Sequence, residues 1–567
     1  MNDDLFLGFD LSTQQIKAIA INSKLQPIIE ANVEFDVDTP EYLTKKGVFT
    51  NAERQEVYAP VVMWIKAFDV LLGKLQMAGL DFAKVKCISG AGQQHGSVFW
   101  SEDAESMLAS LDSEKTLAEQ LDGRQFSHDM SPNWQDHSTG KECDAIEDTL
   151  GGPEKIAQLT GSKAHHRFTG PQIMRFRTLH PEKYDKTWRI SLVSSFFASI
   201  LLGKIAPIDV SDVCGMNLWD IPNSKWNDEI VRLVAGGTEA GKVELLRKLG
   251  EVELDGGKDL GPISNYYVRR FGFSSDCFIT PVTGDNPATI LALPLRPLDV
   301  IVSLGTSTTL LVSTPVYKTS PSYHIFSHPT TKGLYMGMLC YCNGSLAREK
   351  VRDEINVISP PSSDSWSSFN EAALTSPPLG VDSGNTSKIG IYFPLPEIIP
   401  DCKPGVWRFI NDADSLHNAS AEEWDIPTAD ARTILESQNL SMRLRAGPML
   451  SSTGQPRRVY VVGGGSRNPA ICEVTGQIFG PTEGVFKLEL SNACALGSAY
   501  KALWSTQRMV DSSTGEYETF DDFLADRWDE STMIAKVDVG YRKGLWEKYG
   551  EVLPAFETAE KVAVESK

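Results

Sequence analysis

A strand–turn–strand pattern opens the chain and returns, in looser form, near its middle. The first copy is Leu5–Asn22 (LFLGFDLSTQQIKAIAIN), where the apolar runs LFLGF and IKAIAI flank the polar turn Asp10–Gln15. The second is Asp299–Ser313 (DVIVSLGTSTTLLVS), turning at Gly305-Thr306-Ser307-Thr308. Aliphatic and β-branched runs bounded by small polar residues read as β-hairpins. Each turn offers hydroxyls and backbone N–H groups without bulk, which is what a phosphate needs. Either copy alone reads as an ordinary hairpin with a Ser/Thr turn. Two copies, one carrying an acidic residue, favour a pair of turns gripping one nucleotide's phosphates across a cleft. The chain has no G-x-x-x-x-G-K-[ST] loop, so the ordinary P-loop route to ATP is absent.

The remaining pattern runs strands, helices, then strands and helices again, which suggests two α/β lobes. A third strand (IIEANVEF) follows the first hairpin, and Val57, Val61, Trp64, Ile65 and Phe68 predict a helix over 52–78. A strand over 85–89 leads into Gly90–Gly96, and 101–133 reads as a polar insertion. Helices are expected at 140–150, 153–160, 171–180 and 190–202, with helical character through 220–262. Asn286-Pro287 marks a helix start before the second hairpin. Further on, 428–446, 469–479 and 491–507 read as helices and 457–463 as a strand. The expected division is a first lobe over 1–295, a second over 296–550, and a charged, frayed tail over 551–567.

Composition narrows the partners. The formal net charge is −20, and no basic cluster stands ready to neutralise a nucleic-acid backbone. Nine scattered cysteines form no C-x-x-C pair, which reads as reduced thiols of a cytoplasmic protein rather than a zinc or disulfide framework. The longest apolar stretch, Ser191–Gly203, is too short to span a bilayer and reads as a buried helix. No membrane or nucleic-acid partner is expected, and the chain is read as a monomer or small homo-oligomer.

Asp285, in a Gly-Asp-Asn turn at a helix start, can accept a proton from a substrate hydroxyl during phosphoryl transfer. Read locally it is an N-cap worth about 1 kcal/mol, and local sequence favours the cap. Gln93, Gln94 and His95 offer donors and acceptors suited to sugar hydroxyls, with a buried, satisfied histidine as an equal alternative. Gly463-Gly464-Gly465, followed by Asn468, lets backbone approach a flat or phosphorylated ligand, or is simply a tight strand-to-helix turn. His165 and His166 lack a carboxylate at helical spacing that would make them metal ligands. Arg167 beside them suits a hydroxyl-rich or anionic ligand.

Taken together, GFDLSTQQIK (8–17), SGAGQQHGSVFW (89–100), SPNWQDHST (131–139), RFTGPQI (167–173), TGDNPAT (283–289), SLGTST (303–308), VVGGGSRNPAI (461–471) and SNACALGSAYKA (491–502) resemble the FGGY carbohydrate kinases. QQHG with RFTG resembles the xylulose-phosphorylating branch. The resemblance implies two ribonuclease H-like lobes of the actin/hexokinase ATPase type, flanking a deep cleft. It implies transfer of phosphate from ATP to the terminal hydroxyl of D-xylulose, with ATP and Mg²⁺ as cofactors. It makes Asp285 the general base and assigns the ketose to His95, Arg167, Asp285 and Asn286. Asp10, Thr13 and Lys17 match the first phosphate turn, with Asp10 near Mg²⁺, and Gly305 and Thr306 match the second. Gly464, Gly465 and Asn468 match the adenosine loop. Trp366 matches an aromatic beside the adenine, and Trp134 and Asp136 match positions along the sugar pocket. A lysine found near the substrate loop of bacterial relatives is not evident at 167–180. The alternatives are a sibling kinase for ribulose, gluconate or glycerol, and an ATPase switch indifferent to sugar.

Overall fold

The computed structural model describes residues 4–380, 386–412, 415–450, 453–488, 492–510 and 516–566; Ser491, in the last of the quoted motifs, lies outside them. The opening hairpin forms where its pattern puts it. β1 (Leu5–Leu11) and β2 (Gln15–Asn22) pair antiparallel with Asp10 opposite Lys17, and β3 (Pro27–Glu34) continues the meander. Every residue of β1 is buried, as befits a strand covered on both faces. β4 (Val85–Gly92) runs parallel to β1 on its other side, and β5 (Phe278–Ile279) and β6 (Thr283–Gly284) run parallel to β4. The order is β5-β4-β1-β2-β3.

The second hairpin repeats this plan. β7 (Val300–Leu304) pairs antiparallel with β8 (Thr308–Thr314). β9 (His324–Ser327) and β10 (Tyr335–Tyr341) extend the sheet beyond β8. On the other side β11 (Arg458–Val462) and β12 (Gly484–Leu488) run parallel to β7, and β13 (Ile534–Asp538) closes the edge. The order is β9-β10-β8-β7-β11-β12-β13. Its inner strands reproduce the first sheet, an antiparallel meander followed by two parallel strands. The sequence repeat is therefore a repeat of fold.

Helices cover these sheets. α1 (Val61–Met77) buries Trp64, Ile65, Phe68, Leu71 and Leu72 against β2 and β3. α2 (Thr169–Leu179) follows Arg167 and Phe168. α3 (Val193–Leu202) is buried along its whole length against β4, as the apolar stretch predicts. α4 (Asp285–Thr289) leaves β6 directly. α5 (Thr428–Leu450) packs on β8 and β10, and α6 (Pro469–Phe479) on β11 and β12. α7 (Ala493–Gln507) returns to the first sheet and lies across β1 and β4. A Cβ added at Gly8 would fall 2.0 Å from the Ala495 carbonyl oxygen, and one at Gly497 would fall 2.2 Å from that of Ala288. Only glycine lets these backbones meet so closely.

Several elements differ from the sequence reading. Residues 56–60 form a strand, and the helix starts only after Pro60; Glu56–Pro60 alternates in burial, a strand period that the apolar count obscured. Residues 189–192 are a strand before α3. Within 220–262 only Asp228–Val234 and Glu239–Leu249 are helical, because Gly236 and Gly237 adopt positive φ (96° and 81°) and end the turn. The tail is not frayed. α8 (Leu553–Glu565) buries Phe556, Ala559 and Ala563, and Glu560 accepts from Arg445 Nη2 at 2.8 Å and Ser441 Oγ at 3.0 Å. Its charges disguised a docked amphipathic helix.

Candidate active site

Ligands of α/β proteins sit where strand ends meet loops. Asp10 lies near the end of β1 and is 3% exposed. Ser12 Oγ donates to its Oδ2 at 2.6 Å, whereas its Oδ1 is buried without a partner. Burial pushes this carboxyl above the usual range, against the pull of Ser12 and Lys17. Lys17 stands opposite it across the hairpin, so both side chains share a face.

Asp285 is the first residue of α4, and the N-cap is Gly284, which makes no side-chain cap. The capping role favoured by local sequence is therefore absent. Instead, Asp285 Oδ1 accepts the Asn286 backbone N–H at 2.8 Å and Asn286 Nδ2 at 3.1 Å. Asn286 Nδ2 also donates to Gln94 Oε1 at 3.0 Å. Burial first, and the nearby Asp10 second, push Asp285 up to about 7. A carboxylate poised there can exchange a proton near neutral pH.

His95 follows β4 in the left-handed region (φ 72°). Its ring stacks on Phe168 with centroids 4.4 Å apart, and Nδ1 lies 3.0 Å from the Gly215 carbonyl. A carbonyl only accepts, so Nδ1 carries the hydrogen and Nε2 is left as an acceptor. Burial, then Arg167, holds the ring's pKa well below the ordinary value. Arg167 Nη2 lies 3.0 Å from His324 Nε2, and its guanidinium is 5.8 Å from the Phe168 centroid. A cavity of about 260 Å³ beside it is walled by Trp134, His165 and Arg167 on one side and by Glu397, Ile398 and Asp401 on the other. Asp136 also lines it, but its carboxylate is taken up by Val57 N, Ser138 and Gln172 Nε2. Trp134 Nε1 donates to Thr13 Oγ1 at 2.9 Å, linking this cavity to the first turn.

A second cavity, about 500 Å³, gathers Gly305, Thr306, Trp366, Gly464, Gly465 and Asn468. Gly464 and Gly465 follow β11, and Asn468 caps α6 by accepting from Ile471 N at 3.1 Å. Its Nδ2 donates to Asn370 Oδ1 at 2.8 Å. The Arg352 guanidinium stacks 4.7 Å from the Trp366 centroid, which fixes the indole. A comparable cavity of about 460 Å³, walled by Phe99, His128, Arg175 and Phe176, is also lined by Asp136 but by none of the other residues predicted to bind. The flat-ligand cavity thus collects the second-lobe residues, while Asp10, Thr13 and Lys17 stand on the first-lobe hairpin. Sequence reasoning missed Arg348 and Asn370, which also line the flat-ligand cavity, and His324, the partner of Arg167, because nothing local marks a helix arginine or a buried strand histidine as part of a site.

Residues 131–292 match the N-terminal domain of the FGGY family of carbohydrate kinases, and residues 300–506 match its C-terminal domain. The chain is 54% identical to a probable D-xylulose kinase A of Aspergillus clavatus, over 99% of this chain and 98% of that protein. It is 53% identical to D-xylulose kinase A of Aspergillus niger, again over 99% and 98%. Among solved structures, ligand-bound xylulose kinase from Lactobacillus acidophilus superposes with a TM-score of 0.75 at 14% identity, covering 99% of both chains. Glycerol kinase from Plasmodium falciparum with ADP does so at 0.71 and 13% identity, covering 100% of this chain and 99% of that one. Identities that low speak for the fold alone; the Aspergillus relatives and the two matched domains carry the assignment. The chain belongs to the FGGY family of carbohydrate kinases.

Proposed function

We propose that this kinase transfers the γ-phosphoryl group of ATP to the terminal hydroxyl of D-xylulose, giving D-xylulose 5-phosphate and ADP. The carrying observation is Asp285, raised to about 7 by burial and by Asp10, in a fold that also holds a sugar-sized and a nucleotide-sized cavity. The Aspergillus relatives supply the substrate. In this reading Asp285 takes the hydroxyl proton as the sugar oxygen bonds the γ-phosphorus and the bond to ADP breaks. The neutral His95 accepts a sugar hydroxyl at Nε2, Arg167 donates to a sugar oxygen, and Asn286 contributes its amide. Such transfer rests on positioning more than on covalent help.

Thr13, Lys17, Gly305 and Thr306 hold the phosphates, and Gly464, Gly465, Asn468 and Trp366 the adenosine. Mg²⁺ fits Asp10, a hard oxygen donor whose Oδ1 is orphaned. Among the described residues no cluster of three or more His, Cys, Asp or Glu could hold a metal, which suits an ion carried largely by phosphates and water. Bound there it would offset phosphate charge. We divide the chain near residue 295 into a sugar-binding and an ATP-binding lobe, with α7 returning to the first. The nine free cysteines suit a reducing cytoplasm.

The test is ADP release from Mg-ATP across D-xylulose, L-xylulose, D-ribulose, gluconate, glycerol and no sugar. Dominance of D-xylulose is expected; preference for another polyol would move the substrate to a sibling kinase's. Release indifferent to sugar would overturn the reading.

A further inference from the structure

Behind the sugar-facing side chains lies one buried segment, Asp209–Asn217, that holds His95 directly and bonds to residues adjoining the others. Asp209, Ser211, Asp212 and Asn217 are each at most 1% exposed. Asp209 Oδ1 accepts Thr283 Oγ1 at 2.5 Å, two residues before Asp285. Gly215 O holds His95 Nδ1. Asn217 Oδ1 accepts His165 N at 3.1 Å, and its Nδ2 donates to Lys163 O at 3.1 Å, just ahead of Arg167. Asp212 Oδ2 accepts Ser194 Oγ, and its Oδ1 faces Gln94 Nε2 at 3.4 Å.

We propose that Asp212 is a positioning residue for the sugar, setting the polarity of a series of side-chain amides that ends in Asn286. This rests on the reading that Asn286 and Asp285 hold the sugar. Burial pushes the Asp212 carboxyl up to about 7; above that value it only accepts, so Gln94 turns its NH₂ toward Asp212 and its Oε1 toward Asn286. Asn286 then spends its two amide hydrogens on Gln94 Oε1 (3.0 Å) and Asp285 Oδ1 (3.1 Å). What remains for the cleft is the Asn286 carbonyl, an acceptor for a sugar hydroxyl. Gln94 is 3% exposed, so no bulk water competes to set its direction. A Cβ at Gly284 would meet both partners, Asp212 Oδ1 and Gln94 Cγ, each at 2.6 Å. The pair is therefore wedged directly under the Asp285 turn.

Replacing Asp212 by an amide removes the acceptor-only group at the inner end, and the series loses its direction. Asp212→Asn is expected to raise the sugar KM about tenfold, the size of one lost hydrogen bond to a well-placed acceptor. The Mg-ATP KM should stay within twofold. Gln94→Glu alone sets two carboxylates face to face and should be worse. The double variant Asp212→Asn/Gln94→Glu restores the pattern, because the introduced amide at position 212 would donate to the new carboxylate, which would also accept from Asn286. Its sugar KM should recover to within about threefold of wild type, a rescue that a purely structural role would not give. A wild-type KM in Asp212→Asn would overturn the proposal. So would a double variant no better than Gln94→Glu, a comparison that stands even if Asp212→Asn folds poorly. The KM is read for whichever sugar the wild type uses. A change of preferred sugar thus leaves this proposal intact, whereas a wild type that uses no sugar removes its premise.

Discussion

Arg167 Nη2 from the first lobe and His324 Nε2 from the second lie 3.0 Å apart. Arginine can only donate, so His324 must be the acceptor and therefore neutral. Its other nitrogen, Nδ1, is 2.9 Å from Ser162 Oγ and carries the hydrogen. Burial and Arg167 both hold the His324 pKa well below its ordinary value, in keeping with that tautomer. The guanidinium read as a sugar ligand is thus aimed by a side chain of the opposite lobe.

His324→Ala is accordingly expected to raise the D-xylulose KM several-fold and leave the Mg-ATP KM unchanged. One lost hydrogen bond to a charged group costs about 1.5–3 kcal/mol at most. Steady-state kinetics with each substrate varied in turn would check it, and an unchanged sugar KM would separate His324 from the pocket.

Asp285→Asn should cut turnover by ~10²–10⁴ while leaving the fold intact. It should also alter stability in a pH-dependent way. The folded-state value is raised to about 7 by burial and by Asp10, so the ionised form is disfavoured in the folded protein. The contribution of this group is full below the ordinary carboxylate range and is lost as pH rises through about 7. Asparagine never ionises. The variant's Tm should therefore exceed that of wild type at pH 8 and converge with it at pH 4, as melts at both would record. In wild type, kcat/KM should fall as pH drops below about 7, where Asp285 takes up its proton.

Features carried by local turn chemistry could be read from the chain alone, and features carried by distant partners could not. The two hairpins and the Gly463–Gly465 loop belong to the first kind, and they fold as read. Asp285 was legible only through its resemblance, since a lone Asp at a helix start looks like a cap; the cap is Gly284. His324 and Asp212 gave no local sign, because their partners lie 157 and 118 residues away. The tail helix was hidden by charge. Its buried Glu560 is bound by Arg445 and Ser441, and nothing in its own sequence announces that partner.

Trp366→Ala should raise the Mg-ATP KM several-fold with little effect on the sugar KM. The indole lines the cavity that holds Gly464, Gly465 and Asn468, and stacking against a base is worth about 1–3 kcal/mol. Equal effects on both constants would assign Trp366 a structural role instead.

Gly8→Ala tests the return of α7 to the first sheet. The added methyl would lie 2.0 Å from the Ala495 carbonyl and 2.4 Å from the Ala499 nitrogen, both backbone atoms that cannot swing aside. Overpacking of this kind costs about 1–3 kcal/mol or more, read as a lowered Tm or loss of soluble protein. A wild-type melt would contradict the close packing of α7 on β1.

Phosphate transfer from ATP to D-xylulose is read without intermediary by following the phosphorus itself. Purified protein with Mg-ATP and D-xylulose, observed by ³¹P NMR, should lose the γ-phosphate resonance and gain a sugar phosphomonoester in step with ADP. ADP accompanied by inorganic phosphate alone, at the same rate with and without D-xylulose, would contradict it.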